Sequence, residues 1–129
     1  MTWSVAGASL LGAAVLIGAF GAHALRDRLD AYATGIYERA VFYHFIHAAG
    51  LLVLGIALQT GSVCGSVAML AAWLLFAGLI VFCGSLYALA LSGIRMLGAV
   101  TPIGGLAFVA GWFAFAYALG SAARWPCAH

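Results

Sequence analysis

The sequence predicts an all-α fold, a bundle of four transmembrane helices joined by short hairpin loops, with a short interfacial helix between spans one and two. Three observations lead there. Hydrophobic residues make up 67% of the 129-residue chain and charged residues only 6%, against roughly 45–50% and roughly 25% in soluble domains. A water-soluble fold of this size exposes too much of its surface to hide so much hydrocarbon. The apolar residues fall into four runs, each of the length that crosses a bilayer, about 20 residues, and none alternates as a strand does. The ionisable groups, finally, are gathered in one place: the stretch from Gly18 to His47 holds all three acidic residues, three of the five arginines and three of the four histidines.

The first span is predicted over residues 5–25, VAGASLLGAAVLIGAFGAHAL. At a rise of about 1.5 Å per residue it matches the hydrocarbon thickness. Residues 1–4 carry no Arg or Lys and the apolar run is long for a signal peptide, so the span is expected to be retained. Two series of small residues spaced by four, Ser4, Ala8, Gly12 and Ala14, Gly18, Ala22, predict faces on which a neighbouring helix can approach closely. From Arg26 to Arg39 the chain turns polar, and a short amphipathic helix ending near Gly35 would turn Leu25, Leu29 and Tyr32 toward the bilayer and Arg26, Asp27 and Asp30 toward water.

The second span is expected over 38–58, its opening turns carrying Glu38, Arg39, Tyr43, His44 and His47. Residues 59–62 read as a tight hairpin. The third span, 67–91, belongs to an apolar run that begins near Val63 and exceeds one perpendicular crossing, so tilt or an irregular first turn is expected to absorb the excess. Gly84 and Ser85 within it suggest a second close contact, with the Ser85 hydroxyl satisfied on a carbonyl one turn back. The fourth span is placed at 98–120, with Pro102 in its first turn, where a missing N–H costs little. Trp3 and Trp125 then fall at one membrane interface.

With four crossings, Arg26, Arg28, Arg39 and Arg95 share one side and Arg124 stands alone on the other. The excess of positive charge predicts that the arginine-bearing loops are cytoplasmic and both termini lie outside. Five dispersed basic residues, none of them lysine, cannot build a phosphate-neutralising stripe, which excludes nucleic acid as a partner. Cys64, Cys83 and Cys127 form no CxxC pair and read as structural or incidental thiols rather than a disulfide framework or a zinc site.

The polar groups around the first loop are the candidate site. His23 near the end of span one, and Tyr43, His44 and His47 early in span two, are expected at overlapping depths, with Glu38 and Arg39 at the same rim. As structural groups, His23, Tyr43 and His47 would place rings in the bilayer edge and tie helices together. As functional groups, the same three could hold a quinone or lipid in an apolar groove, or His23 and His47 could ligate haem. No metal site is expected, since HxxH alone is common and HExxH is absent, and no base stands beside a nucleophile, which points away from an enzyme. The apolar third and fourth spans offer no polar lining for transport.

Five segments stand in one order along the chain: GAFGAH at 18–23, ERAVFYHFIH at 38–47, GSLY at 84–87, TPIGG at 101–105 and GW at 111–112. In them the chain resembles the small bacterial membrane family DUF423, which includes the YgdD-like proteins and looks related to the transmembrane protein 256 group. The resemblance implies a compact, multi-pass protein of the bacterial plasma (inner) membrane. It implies that Gly18, Gly21 and the neighbouring Ala22 bring span one close to span two, with His23 a polar tie, and that Gly104 and Gly105 serve packing as Gly84 and Ser85 do. His23 and His47 match histidine landmarks of the family, whereas His44 falls at a more variable position. No catalytic signature accompanies the pattern, so the expected role is that of an accessory or assembly protein, in contact with membrane lipids and with a larger membrane complex or a second copy of itself.

Overall fold

The computed structural model describes residues 2–124; Trp125 and Cys127 lie outside the described residues. Four helical spans run Trp3–His23, Ala31–Gln59, Gly65–Ser92 and Arg95–Arg124, and each is long and apolar enough to cross a membrane. The first two are the helices α1 and α2. The third consists of α3 (Gly65–Gly78), a π-helical turn (Leu79–Cys83) and α4 (Gly84–Ser92), and the fourth of a 3₁₀ turn (Arg95–Ala99) followed by α5 (Thr101–Arg124).

The charged stretch does not form a separate interfacial helix. Residues 24–30 make a tight turn, and Asp30 then caps α2, its carboxylate accepting from the Ala33 N–H at 2.7 Å. An aspartate in that place satisfies one of the free N–H groups of the first turn, so the helix starts seven residues before the predicted span. Leu25, expected to face lipid, is instead buried beside Ile36, Tyr37 and Leu86. The 59–62 hairpin turns through Gly61 at φ +70°, and Gly93 at φ +72° ends α4, a backbone conformation that glycine adopts without steric cost. Pro102 stands in the first turn of α5.

α1 and α2 pack as one antiparallel pair and α3 and α5 as another, with α2 also running along the third span. Small residues set both seams. On α1 the positions turned toward α2 are Ser4, Gly7, Leu11, Ala14, Gly18 and Gly21, spaced alternately three and four apart. A Cβ on Gly7 would meet the Leu52 backbone, and one on Gly55 would meet the backbone of Ser4. On α5 the buried set is Gly104, Phe108, Gly111, Phe115 and Ala118, with the same alternation. This is the periodicity that keeps a seam facing its partner along two packed helices.

The expected series spaced by a constant four are therefore corrected: Ala8, Gly12 and Ala22 are exposed, while Ser4, Ala14 and Gly18 belong to the true seam. At 100° per residue a step of four drifts by about 40°, so such a series winds off the contact face. The irregular first turn expected of the third run is not found, since α3 is regular from Gly65; the irregularity lies in mid-span, at the π turn Leu79–Cys83. The span packs chiefly on α5 before that turn and on α2 after it. Cys83 within the turn is free and buried, whereas Cys64 is disulfide-bonded, which corrects the reading of incidental thiols.

Candidate functional site

α2 is the helix around which the polar groups gather, and its successive faces meet different neighbours. At the rim, Tyr37 is 6% exposed and donates through its hydroxyl to the Ile17 carbonyl of α1 at 2.7 Å. Its ring lies against Gly21, where a Cβ would sit 2.8 Å from Cδ1 and collide with Cε1. Glu38 and Arg39, the next two residues, are exposed, and Glu38 borders a rim pocket of about 270 Å³ with Gly18, Gly21, Ala22 and Arg26. Tyr37 is a helix tie that sequence reasoning missed. The signal was available in a tyrosine one turn into a span, opposite a glycine of its partner.

Deeper in the span, Tyr43 and His47 come together. Their rings stack with centroids 5.6 Å apart, and the imidazole lies on the Phe108 ring of α5 at 3.4 Å. His47 Nδ1 is 2.7 Å from the Tyr43 carbonyl, so the nitrogen donates there and His47 is 5% exposed. Tyr43 and His47 also border an apolar groove of about 520 Å³ with Phe82, Pro102 and Trp112. His44 points elsewhere, toward α4, where its Nδ1 is 3.2 Å from the Tyr87 hydroxyl.

His23 does not share that depth. Gly21 faces Tyr37, Gly18 faces Val41 and Gly7 faces Leu52, a register that sets His47 level with Gly12 and His23 level with Ile36. The eleven residues between Gly12 and His23 amount to about 16 Å along α1 at the helical rise. His23, in the last turn of α1, is exposed. The expectation that its imidazole overlaps in depth with His47 is thus corrected. Two helices crossing a membrane in opposite directions bring residues to one level only when both are equally far from the turn, and α2 begins much closer to the turn than the predicted span did. Among the described residues no three of His, Cys, Asp and Glu come together.

The packing glycines divide in the same way. Gly104 presses on the Phe82 backbone and Gly18 lies 3.3 Å, through an added Cβ, from Val41, whereas Gly105 would make only ordinary contact with Phe82 and Gly84 faces open space. Ser85 does take part in a tie, donating to the Phe82 carbonyl at 3.0 Å and lying 2.8 Å from the Thr101 hydroxyl of α5. Gly7, Gly50, Gly55, Gly78 and Gly111, unremarked in the sequence, are close contacts.

With this architecture in view, comparison with known proteins gives a consistent result. Residues 17–105 match the family model described as Protein of unknown function (DUF423). The chain belongs to the DUF423 family. Its curated relatives include a UPF0382 membrane protein of Staphylococcus haemolyticus, 50% identical over 95 residues that cover 74% of this chain and 75% of the relative. Another, the UPF0382 membrane protein YwdK of Bacillus subtilis, is 44% identical over 99 residues covering 77% and 79%. No solved structure matches the chain significantly. This DUF423 member is accordingly a multi-pass membrane protein, and the matched region spans the arginine-bearing turn, the aromatic column of α2 and the TPIGG segment at the start of α5.

Proposed function

We propose that this chain is an accessory protein of the bacterial plasma membrane that acts by packing, as a small subunit or assembly partner of a larger membrane complex. The observation that carries this reading is the use of its in-membrane polar groups: Tyr37 on Ile17, His47 on Tyr43 and Ser85 on Thr101 each fasten one part of the bundle to another or to itself. Polar groups so engaged give a single rigid arrangement in a medium where water exclusion does not drive helix association. The outward surface is then what remains for partners. α1 offers the most of it, with 17% of its most apolar stretch buried against 39% in α2, and with Val15, Leu16 and Phe20 exposed.

The orientation belongs to the same proposal. Arg26, Arg28, Arg39 and Arg95 lie on the cytoplasmic side and both ends of the chain outside. The disulfide at Cys64, beside the α2–α3 turn, supports it, because disulfides persist in oxidising compartments and that turn is on the side opposite the arginine-rich loop.

A photo-crosslinking residue placed in living cells at Leu16 on α1, and in parallel at Phe113 on α5, tests the accessory reading. A discrete protein adduct of fixed mass from one face is expected, and lipid adducts alone from both faces would refute it. A second reading, binding of a quinone, lipid or haem, is favoured by Tyr43 and His47 bordering one apolar groove. His23 has no share in that groove. A haem absorption band lost on His47→Phe, or a lipid or quinone retained at fixed stoichiometry through purification, would favour it over packing alone.

A further inference from the structure

Beside the contact of Gly21 with Tyr37, the rim pocket of about 270 Å³ lies between α1, the 24–30 turn and the first turns of α2. Its two ends differ. Toward the middle of the bundle the walls are apolar, with Gly18 of α1 facing Val41 of α2 and Ala22 exposed beside them. Toward the turn they carry Arg26, Thr34 and Glu38. Because a helical Cα–Cβ bond tilts toward the N-terminus, the Glu38 side chain leads back toward the start of α2, the end that holds Thr34. The two residues are four apart and share a side of the helix.

Arg26 and Glu38 are the charged groups of this pocket, and both are exposed. Neither forms an ion pair among the described residues, and the Thr34 hydroxyl has no hydrogen-bond partner among them. Each charge directly follows a member of one buried cluster, Leu25 before Arg26 and Tyr37 before Glu38, so the two stand at one level of the rim. Opposite charges that border one cavity without closing on each other give it a positive wall and a negative wall.

We propose that this pocket binds the headgroup of a zwitterionic phospholipid bearing a primary ammonium, phosphatidylethanolamine, with Arg26 and Thr34 on the phosphate and Glu38 on the ammonium. The chemistry follows from the walls. A guanidinium only donates and a carboxylate only accepts, so the ligand must present an anion and an N–H-bearing cation side by side. A purely anionic head leaves Glu38 facing like charge, and a trimethylammonium has no N–H for the carboxylate to accept. The guanidinium fork matches two oxygens of one phosphate. The apolar end at Gly18, Ala22 and Val41 continues toward the hydrocarbon, which suits the first carbons of an acyl chain and favours a lipid over its water-soluble head. The site is distinct from the groove at Tyr43 and His47, and it requires no protein partner.

The test is native mass spectrometry of the purified full chain in detergent, titrated separately with phosphatidylethanolamine, phosphatidylcholine and phosphatidylglycerol of identical acyl chains. Saturable 1:1 retention of phosphatidylethanolamine, about threefold or more tighter than either of the others, is expected, on the scale of one partly exposed ion pair. Arg26→Gln should weaken it about threefold or more. Glu38→Gln should abolish the preference and raise phosphatidylglycerol to the level of phosphatidylethanolamine or above it. Ala22→Leu fills the apolar end and should weaken all three lipids, while Arg28→Gln, an exposed charge of the same turn outside the pocket, should leave the preference unchanged. All four positions are exposed, so these variants fold. No preference for phosphatidylethanolamine in the unaltered chain, or a preference that survives Glu38→Gln, would overturn the proposal. Equal displacement by glycerophosphoethanolamine, which has no acyl chains, would also overturn it by showing a site for the soluble head.

Discussion

Replacing Gly21 with alanine adds one methyl group at the tightest point between α1 and the rim of α2. Built on the backbone, that carbon lies 2.8 Å from Tyr37 Cδ1 and collides with Cε1, so the ring must withdraw by roughly 1 Å to restore ordinary contact. It cannot do so freely. Tyr37 is 6% exposed, its ring meets the Tyr87 ring edge-on at 5.3 Å, and its hydroxyl holds the Ile17 carbonyl at 2.7 Å. Overpacking of this kind costs about 1–3 kcal/mol, and losing the hydroxyl bond adds about 0.6–1 kcal/mol. Against this, alanine is the better helix former by up to about 1 kcal/mol. The net expectation is a destabilisation of about 1–2 kcal/mol.

A cycle with Tyr37→Leu isolates the contact. In the leucine background the ring edge is gone, so Gly21→Ala should become neutral or slightly stabilising, a coupling of about 2 kcal/mol. Folded fraction against SDS mole fraction in mixed micelles measures all four corners. If the two substitutions add within about 0.5 kcal/mol, the sites are independent and the inferred wedge of Tyr37 against Gly21 is wrong.

The remaining expectations are of the same kind. Gly104→Ala, which drives a carbon into the Phe82 backbone, should lower the detergent melting temperature clearly, while Gly84→Ala at its open position should leave it unchanged or raise it; equal effects would contradict the packing of α5. Asp30→Ala removes the cap of α2 and should cost about 1 kcal/mol in the same SDS titration, with Asp30→Asn largely retaining stability. For topology, Asp27→Cys should resist a membrane-impermeant thiol reagent in intact cells and react once the membrane is opened, and labelling of intact cells would reverse the assigned orientation. Ser85→Ala should loosen the junction of α4 and α5 by about 0.6–1 kcal/mol through loss of the Thr101 bond, read as faster amide exchange in the first turn of α5.

How much of this was visible beforehand differs by residue. The four spans were legible because hydropathy is a local property and the bilayer sets a minimum length. Pro102 could be placed in a first turn for the same local reason, a proline losing no hydrogen bond there. Helical spacing allowed two pairs to share a side, Tyr43 with His47 and His44 with His47, and only the first forms. The separation of His44 from His47 was not legible, because the two lie three residues apart and either could have turned toward α5. The depth of His23 went astray with the start of α2: Asp30 was read as one face of an amphipathic helix when it caps the next one.

By itself the sequence determined the solvent of this protein, the number of its crossings and the family to which it belongs, since each rests on composition or on short runs of residues read in order. The tertiary structure alone decided which glycines are contacts and which are openings. Gly21 and Gly84 are the same residue in helices of similar composition. One meets a tyrosine ring and the other open space, because what a side chain, or its absence, encounters depends on the register of a neighbouring helix that no local pattern specifies.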